Sequence, residues 1–305
     1  MFPQSTYHQS IDLSKAIIQP LPLAGRMNAF ILRLDLIHPV IAGNKWFKLK
    51  YHLKAALEAN SRGLLTFGGA WSNHLVATAA AAASAGLPVI GVVRGERPAT
   101  LSPTLQDAEN AGMELFFVSR AEYAGEDQLH QAMLERFPGF HLIPQGGQSS
   151  LGVRGAAEIL QLVPDLANYS YIACAAGTGT MMAGLVEASI PHQQVLGFSS
   201  LKLGDTVNNS LTTFLDQQTS VKNYQFIWQY HFGGYGRKTT SLTDFMRELY
   251  QRTGIPTDIV YTGKMIYGLN KMAEEDLFSP QTRLLVIHSG GLQGNRSLPE
   301  GLLGY

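Results

Sequence analysis

Short runs of aliphatic residues alternate along the chain with segments whose apolar positions recur at helical spacing. The clearest case is GLLTFGGAWSNHLVATAAAAASAG (63–86), in which a strand, a Gly-Gly turn and an Ala-rich helix ending at Gly86 follow one another. Residues 87–96 and 113–119 predict two further buried strands, and residues 104–112 predict a helix between them. Apolar strands that alternate with helices predict βαβ units and mostly parallel sheets covered on both faces.

The second half of the chain repeats this order and then changes in character. Residues 141–163 and 171–189 each read as a strand, a Gly-rich turn and a helix, and residues 283–291 contain a final strand. Residues 224–241 are instead aromatic and rich in glycine, which predicts a loop that approaches a ligand. Ligands of open α/β sheets bind outside the carboxyl ends of the strands. The sequence therefore predicts a binding site assembled from segments that are far apart in the chain.

Composition narrows the class of protein. The chain has 305 residues, of which 45% are hydrophobic, and this suits one large α/β domain or two lobes. It has 23 basic and 23 acidic residues and no basic stripe, so we expect no nucleic-acid partner. The single cysteine, Cys174, excludes an internal disulfide and is typical of a reducing compartment. No apolar run is long enough to span a membrane and the first ten residues lack a signal-peptide pattern, so a cytoplasmic protein is expected.

The stretch AAGTGTMMAGL (175–185) is the most informative turn. A predicted strand leads into Gly177, Thr178, Gly179 and Thr180, and a predicted helix follows. Outward-facing backbone amides, the helix dipole and two hydroxyls suit a phosphate group. A tight turn that needs glycine for positive φ would explain the same glycines without a ligand. The pattern matches neither a nucleoside-triphosphate loop nor a dinucleotide fingerprint.

Polar groups also stand at other turns. Ser72 and Asn73 in GGAWSNHL (68–75) open the Ala-rich helix, where N-capping explains both and where the same groups would also hold an anionic oxygen. Tyr235 and Tyr261 each lie close to glycine in the sequence, and their phenols suit proton transfer or contact with a carboxylate. Simple packing of a tyrosine in a turn explains them as well.

The last candidate site residues lie at the end of the final strand and in the segment AGNKWFKLKY (42–51). The strand ends in His288 and Ser289, and a lone histidine there is usually a hydrogen-bonded core residue. The segment 42–51 places three lysines around a Trp-Phe pair after an Ala-Gly-Asn turn. Spaced metal ligands and a GxSxG elbow are both absent from the sequence.

Taken together, these stretches resemble the pyridoxal-phosphate enzymes of the 1-aminocyclopropane-1-carboxylate deaminase and D-cysteine desulfhydrase type. AGNKWFKLKY is similar to the family's GGNK…RKLEY, GGAWSN to GG.QSN, and QGGQSSLGVRG to AGGSN.LG.GY. The phosphate turn, HFGGY, DIVYTGK and HSGG follow in the family's order, so the resemblance spans nearly the whole chain. The departures are Ala42, Trp46, Phe47 and Met181, none of which removes a group that the chemistry requires.

The resemblance implies pyridoxal 5'-phosphate as the cofactor and Lys45 as its Schiff-base lysine. The implied contacts are Lys48, Gly177, Thr178, Gly179 and Thr180 for the phosphate, Asn73 for the ring hydroxyl, Ser289 for the pyridine nitrogen, Thr262 beside the cofactor, and Ser72, Tyr235 and Tyr261 facing the substrate. Lys50 is left as a solvated surface charge. The Trp46–Phe47 pair is either packing within a lobe or a wall of the substrate pocket.

The resemblance also implies an architecture. It is the two-lobed α/β fold of the tryptophan synthase β-like type, with open, mostly parallel twisted sheets flanked by helices. Residues 1–47 and 156–305 would form a large cofactor-binding domain, and residues 48–155 a small inserted α/β domain, with the cofactor between them. Such enzymes act on small amino acids and are commonly homodimers.

Two positions separate the activities within the family. The deaminases carry glutamate after the motif tyrosine and leucine before the last Gly pair, whereas this chain has Thr262 and Ser289. A hydroxyl partner leaves the pyridine nitrogen largely unprotonated, which β-elimination tolerates better than opening of a cyclopropane ring. We therefore expect a D-cysteine desulfhydrase-type reaction that gives pyruvate, ammonia and sulfide. The alternatives are a true deaminase, a racemase-like relative, and a protein that binds pyridoxal phosphate without turnover.

Overall fold

The computed structural model describes Thr6 and residues 9–202, 205–220 and 223–305, and for residues 205–210 it describes only the backbone. Most of the amino-terminal segment in which no signal peptide is expected therefore lies outside the described residues. The chain divides into two units. The first unit contains residues 45–155, residues 38–41 and the described part of residues 1–11, and the second contains residues 12–37, 42–44 and 156–305.

Ten strands and ten α-helices are found among the described residues. The strands are β1 (Ile18–Pro20), β2 (Asn28–Arg33), β3 (Gly63–Gly68), β4 (Val89–Arg94), β5 (Met113–Val118), β6 (Phe140–Ile143), β7 (Tyr171–Ala176), β8 (Gln194–Ser199), β9 (Tyr224–Ile227) and β10 (Arg283–His288). The helices are α1 (Asn44–Glu58), α2 (Asn73–Ala85), α3 (Pro103–Asn110), α4 (Arg120–Ala124), α5 (Glu126–Arg136), α6 (Ser150–Ala157), α7 (Thr180–Ala188), α8 (Asp205–Gln218), α9 (Thr240–Thr253) and α10 (Thr262–Glu274). Within the described parts of the chain, no helix has the length and apolar character needed to cross a membrane.

The first unit is built on a four-stranded sheet with the order β5-β4-β3-β6, in which every pairing is parallel. Alternate residues of β3 pack in different hydrophobic clusters. Leu64 packs with the alanines of α2, whereas Leu65 and Phe67 pack with Leu129 and Met133 of α5. The sheet is therefore covered on both faces, as its apolar strands predict.

The second unit contains a six-stranded sheet with the order β1-β2-β10-β7-β8-β9. Its strands pair in parallel except for β1, which is antiparallel to β2. One face packs under α9 and α10, whose Leu249, Met265 and Leu269 join its core cluster. Since β10 and β7 are parallel neighbours, the turns that follow their carboxyl ends leave the sheet at the same edge. These turns begin at Gly177 and Ser289.

The structure confirms the predicted α/β class with mostly parallel sheets flanked by helices, and α2 ends before Gly86, which has φ 67°. The aromatic segment 224–241 differs from the prediction. It begins with strand β9, which pairs with β8, and only the part after it lacks regular structure until α9 begins. The ring of Phe226 in β9 stacks on Trp228 at 4.6 Å, so these aromatic residues pack on one another.

The Trp46–Phe47 pair belongs to the packing of the first unit. Phe47 is only 1% exposed, and Trp46 packs against the cluster that contains the α2 alanines. An added Cβ at Gly155 in α6 would overlap the backbone carbonyl of Phe47. This close approach of α6 to α1 explains the glycine and favours packing over the pocket-wall interpretation for Phe47.

Candidate active site

Lys45 and Lys48 lie in the first turns of α1, three residues apart and hence on about the same face. Lys45 is half-buried, and Lys48 is only 5% exposed. Both ammonium groups act on the same neighbour, His74 of α2. Burial lowers the pKa of His74 well below its ordinary value, and the charges of Lys45 and then Lys48 lower it further. The two lysines and this histidine thus form one electropositive cluster within the first unit.

The hydrogen bonds of Thr66 fix the form of the His74 ring. The Thr66 hydroxyl donates its single proton to the carbonyl of Ile143 at 3.0 Å, so it must accept from Nε2 of His74, also at 3.0 Å. The ring is neutral because its pKa is depressed, and Nδ1 is then the unprotonated nitrogen. In the part of the chain that is described, this buried Nδ1 has no hydrogen-bond partner. A group with an N–H or O–H donor would satisfy it.

A second pair of histidines lies in the same unit. Nδ1 of His52 in α1 lies 3.0 Å from Nε2 of His141, and its Nε2 lies 2.8 Å from the hydroxyl of Ser149. Burial lowers the pKa of His52 to about 4, with the nearby His141 as the second cause. The first unit therefore keeps this ring uncharged at neutral pH.

Ser72 and Asn73 open α2, as predicted. The Ser72 hydroxyl accepts the backbone N–H of Leu75 at 3.4 Å, which is the capping role, while its own proton remains available to another acceptor. Asn73 is the first residue of the helix and its side chain is buried. These groups stand next in sequence to His74, so they share its electropositive surroundings.

The predicted phosphate turn lies at the start of α7. Gly179 is the N-cap residue with φ 80°, and no side chain caps the helix. The hydroxyls of Thr178 and Thr180 lie 2.9 Å apart. A helix that begins this way presents uncapped backbone amides and two hydroxyls at its positive end, which suits an anion.

Gly177 brings this turn against Tyr261. A Cβ added at Gly177 would lie 3.2 Å from Cε1 of the Tyr261 ring. The glycine is thus explained by the close approach of the ring and Gly179 by its positive φ. Both the structural and the ligand-binding interpretations of these glycines are compatible with this geometry.

The Asp258 carboxylate fixes the backbone around Tyr261. It accepts the backbone amides of Val260, Tyr261 and Thr262 at 2.8–2.9 Å. It also accepts the Thr262 hydroxyl at 2.6 Å, and that hydroxyl in turn accepts the Asp258 amide at 2.8 Å. Asp258, Val260 and Thr262 are buried and Tyr261 is half-buried, and their hydrogen bonds close one turn before α10.

This turn gives the Thr262 hydroxyl the Asp258 carboxylate as its hydrogen-bond acceptor. Its only proton goes to Asp258, which leaves none for a cofactor nitrogen. The sequence shows Asp258 and Thr262 at a spacing of four, but the spacing alone does not reveal which way the hydroxyl points. In this structure Thr262 supports Tyr261 instead.

Tyr235 and Tyr261 form an edge-to-face pair with ring centroids 6.0 Å apart. Burial raises the pKa of both phenols. The hydrogen-bond interaction between them raises the pKa of Tyr261 further and lowers that of Tyr235. Tyr235 is therefore the phenol that loses its proton more readily, while Tyr261 keeps its own.

Ser289 is held against the segment that precedes Lys45. The amide of Asn44 donates to the Ser289 carbonyl at 3.3 Å, and a Cβ added at Gly43 would overlap that same carbonyl. The Ser289 side chain is buried, and its hydroxyl makes no hydrogen bond to any described residue. Asn44 is directly followed by Lys45 in the chain.

His288 is the hydrogen-bonded core residue that the sequence predicts. Its Nε2 donates to the carbonyl of Pro256 at 2.7 Å, and its Nδ1 lies 3.2 Å from Asp35. Asp35 is held in turn by the guanidinium of Arg33 at 2.6 and 2.8 Å. This buried network fixes the end of β10 from which Ser289 projects.

Lys50, which the sequence predicts to be a solvated surface charge, has an aromatic neighbour. It is half-buried, and its Nζ lies 5.2 Å from the centre of the Tyr51 ring. The guanidinium of Arg154 lies 4.2 Å from the same ring. A cation next to an aromatic face is a packing contact with an electrostatic component, and it gives Lys50 no role in catalysis.

Sequence reasoning missed His74, Asp258 and Lys264 as site residues. Each stands inside a stretch that was singled out, His74 in GGAWSNHL and the other two around VYTGK. The available signal was their place beside candidate residues, with His74 and Lys264 in the first turn of a helix and Asp258 just before one. Their partners were not predictable because Thr66 and the carbonyls of residues 231 and 234 come from other parts of the chain.

These groups fit a phosphorylated aldehyde cofactor. The first unit offers a half-buried lysine in an electropositive cluster with an orphaned acceptor at His74. The second offers an uncapped helix N-terminus with two hydroxyls, and a serine hydroxyl with no partner among the described residues. An amine, an anion site and a hydroxyl are the groups needed for an aldehyde carbon, a phosphate and a ring nitrogen.

Comparison with known proteins identifies the class. Residues 18–290 match the family model described as "Pyridoxal-phosphate dependent enzyme", and the chain belongs to this family. Pyridoxal phosphate is therefore the cofactor, and the fold is that of the tryptophan synthase β-like enzymes.

Individual relatives and solved structures are also similar to this chain. A protein of Pyrococcus horikoshii named "Putative 1-aminocyclopropane-1-carboxylate deaminase" is 29% identical over 94% of this chain and 92% of its own length. A protein of the same name from Thermotoga maritima is 30% identical over 88% of this chain and 89% of its own. The solved structure of an "ACC deaminase homologue" is 26% identical with a TM-score of 0.80, covering 100% of this chain and 99% of that one. The fold is shared by an O-acetylserine dependent cystathionine beta-synthase from Helicobacter pylori. Its structure is 15% identical with a TM-score of 0.70, covering 98% of this chain and 99% of that one.

Replacement of Gly43 tests the packing of the turn before Lys45. Both Gly43 and Gly254 have φ 67°, but only at Gly43 does an added Cβ meet other atoms. We expect Gly254→Ala to lower the free energy of unfolding by about 1 kcal/mol, the cost of the left-handed backbone alone. Gly43→Ala should lower it by about 3 kcal/mol or more, because the Ser289 carbonyl must move. Urea unfolding measures both, and equal losses would contradict the close packing.

The depressed pKa of His52 predicts a dependence of stability on pH. The pKa is about 4 in the folded chain and near 6.5 when unfolded, so the unfolded chain binds the proton first as pH falls. Stability is then lost between pH 6.5 and 4, by up to about 3 kcal/mol from this group. In His52→Gln the decline over this range should be smaller. Urea unfolding followed by tryptophan fluorescence at several pH values measures the two slopes, and identical slopes would rule out the effect.

Proposed function

We propose that the chain is a pyridoxal-phosphate-dependent lyase that converts a small amino acid into a 2-oxo acid and ammonia. Support comes from family membership over residues 18–290 together with a half-buried Lys45 at the start of α1. The observation that carries the finer assignment is Ser289, a residue that is 7% exposed, whose carbonyl accepts the Asn44 amide and whose hydroxyl makes no hydrogen bond to any described residue.

Each candidate residue then has a defined task. Lys45 would hold the cofactor covalently, and its amine would take the proton from the substrate carbon. Lys48 binds the phosphate as a point charge, and the start of α7 binds it through its amides and the hydroxyls of Thr178 and Thr180. When bound, the cofactor ring supplies an electron sink for the charge left on the substrate carbon.

The remaining residues orient the ring and the substrate. Asn73 contacts the ring hydroxyl, and the Ser289 hydroxyl binds the pyridine nitrogen. Ser72 and Tyr261 face the substrate, and Tyr235 transfers a proton because its phenol is the more readily deprotonated of the pair. Thr262 is left out of this set, since its hydroxyl is bound to Asp258.

The first candidate substrate is D-cysteine. A neutral hydroxyl at Ser289 does not protonate the pyridine nitrogen, so the ring is a weaker electron sink than one paired with a carboxylate. Loss of sulfide from the β-carbon is compatible with a weaker sink, because sulfide is a good leaving group. D-cysteine and water would give pyruvate, ammonia and hydrogen sulfide.

The second candidate is 1-aminocyclopropane-1-carboxylate, which with water would give 2-oxobutanoate and ammonia. The names of the relatives from Pyrococcus and Thermotoga support it more directly than they support D-cysteine. Against it stands the absence of a carboxylate at position 262, where this chain has Thr262. A homodimer and a cytoplasmic location stay predictions that follow from the resemblance and the composition.

Product analysis separates the candidates. Purified protein loaded with pyridoxal phosphate is incubated separately with D-cysteine, L-cysteine and 1-aminocyclopropane-1-carboxylate, and sulfide, pyruvate and 2-oxobutanoate are measured. We expect sulfide and pyruvate from D-cysteine at a rate at least about tenfold above 2-oxobutanoate formation. In Ser289→Ala, kcat/KM for D-cysteine should fall about tenfold, the value of one buried hydrogen bond.

Lys45→Ala is the negative control, and it should make no product from any substrate. Formation of 2-oxobutanoate alone would establish the second candidate and exclude the first. Cofactor binding without product from any small amino acid would contradict both and leave a binding protein without turnover.

A further inference from the structure

Lys264 is a buried cation in the second unit that the proposed chemistry does not use. It lies in the first turn of α10 and is 2% exposed. Its Nζ donates to the backbone carbonyls of His231 at 3.0 Å and Gly234 at 2.7 Å. In the described residues, no carboxylate forms an ion pair with it. A lysine that is buried without an ion pair is costly, so its two carbonyl partners are its main compensation.

Those two carbonyls belong to the turn that precedes Tyr235. Its backbone is unusual, with φ 54° at Phe232, 93° at Gly233 and 119° at Gly234. Phe232 is not a glycine, so its left-handed conformation is unfavourable by about 1–2 kcal/mol. The turn closes on itself through the Gly234 amide and the His231 carbonyl at 3.0 Å. Lys264 binds both ends of this turn and thereby holds its conformation.

Tyr235 follows Gly234 directly, so the backbone of this turn sets its position. The side chain of Tyr235 is 47% exposed and touches the Tyr261 ring edge to face. Tyr261 is thus the ring that packs against it. Asp258 fixes Tyr261 and Lys264 fixes the carbonyl before Tyr235, so both phenols are positioned from the start of α10.

We propose that Lys264 is a positioning residue whose bonds to the carbonyls of His231 and Gly234 hold Tyr235 against Tyr261. Its catalytic consequence rests on the proposed function, whereas the holding of the turn does not. Burial lowers the pKa of Lys264 to about 8, and the Asp258 carboxylate opposes this shift. The side chain thus remains largely an ammonium at neutral pH, and charge-assisted hydrogen bonds to carbonyls are the stronger kind.

Hydrogen exchange of the backbone tests the holding of the turn without any activity. The variant is Lys264→Met, which keeps the length of the side chain and removes its donors. Lys271→Met is the matched control, because Lys271 lies on the same helix, is exposed and pairs with Glu274. We expect exchange in peptides covering residues 230–238 to become about tenfold faster in Lys264→Met and to stay unchanged in Lys271→Met. Unchanged exchange in Lys264→Met would overturn the proposal.

A double-mutant cycle tests the link to Tyr235. If Lys264 acts through Tyr235, then Lys264→Met, Tyr235→Phe and the double variant should lose kcat/KM by the same factor while the cofactor absorption stays that of the wild type. Losses that multiply in the double variant would overturn the link. Wild-type protein without any product would refute the proposed function and leave the exchange experiment to decide on Lys264.

Lys264→Gln serves as a second variant where the first does not fold. It retains a shorter donor, so intermediate exchange of residues 230–238 is expected. Failure of both variants to fold, judged by circular dichroism, would assign the lysine to the folding of the unit and overturn the positioning role.

Discussion

The contact between Gly43 and Ser289 is the constraint on which the rest of the site depends. Gly43 has no side chain, so the Ser289 carbonyl can approach its Cα and accept the amide of Asn44. This contact joins the end of β10 to the residue before Lys45, although the two are more than 240 positions apart in the chain. Lys45 follows this junction directly in the chain. A side chain at position 43 would force that junction apart.

Within each unit, buried hydrogen bonds fix the orientation of the groups beside the candidate residues. Thr66 sets the tautomer of His74, Asp258 closes the turn that carries Tyr261, and the carbonyl of Pro256 holds the ring of His288. None of these is a group that we expect to react. Their hydrogen bonds hold the groups that would react. Loss of a supporting residue would therefore lower activity even where that residue does not touch the substrate.

The sequence was sufficient for the features that depend on neighbours along the chain. The strand, turn and helix order of residues 63–86 was predicted because apolar spacing, N-cap and the terminal glycine are all local. The cofactor class followed from seven stretches in a fixed order, and the family match over residues 18–290 confirms it. The identification of His288 as a core residue was correct for the same local reason, since it ends an apolar strand.

Features that depend on distant partners were out of reach. Strand β2 pairs with β10, about 250 residues later, and the sequence pattern predicts neither β1 nor β2. The resemblance places Thr262 beside the cofactor, and sequence spacing does not show that Asp258 takes the proton of its hydroxyl. The partners of Lys264 are carbonyls, which every residue has, so no side-chain pattern marks them.

The central claim is that Lys45, and no other lysine, carries the cofactor. Borohydride reduction of the protein loaded with pyridoxal phosphate fixes the attached group, and peptide mass spectrometry then locates it. The account predicts the added mass on the peptide that contains Lys45, with Lys48, Lys50 and Lys264 unmodified. Attachment to any of those three lysines, or no stable attachment in a protein that binds the cofactor, would contradict it.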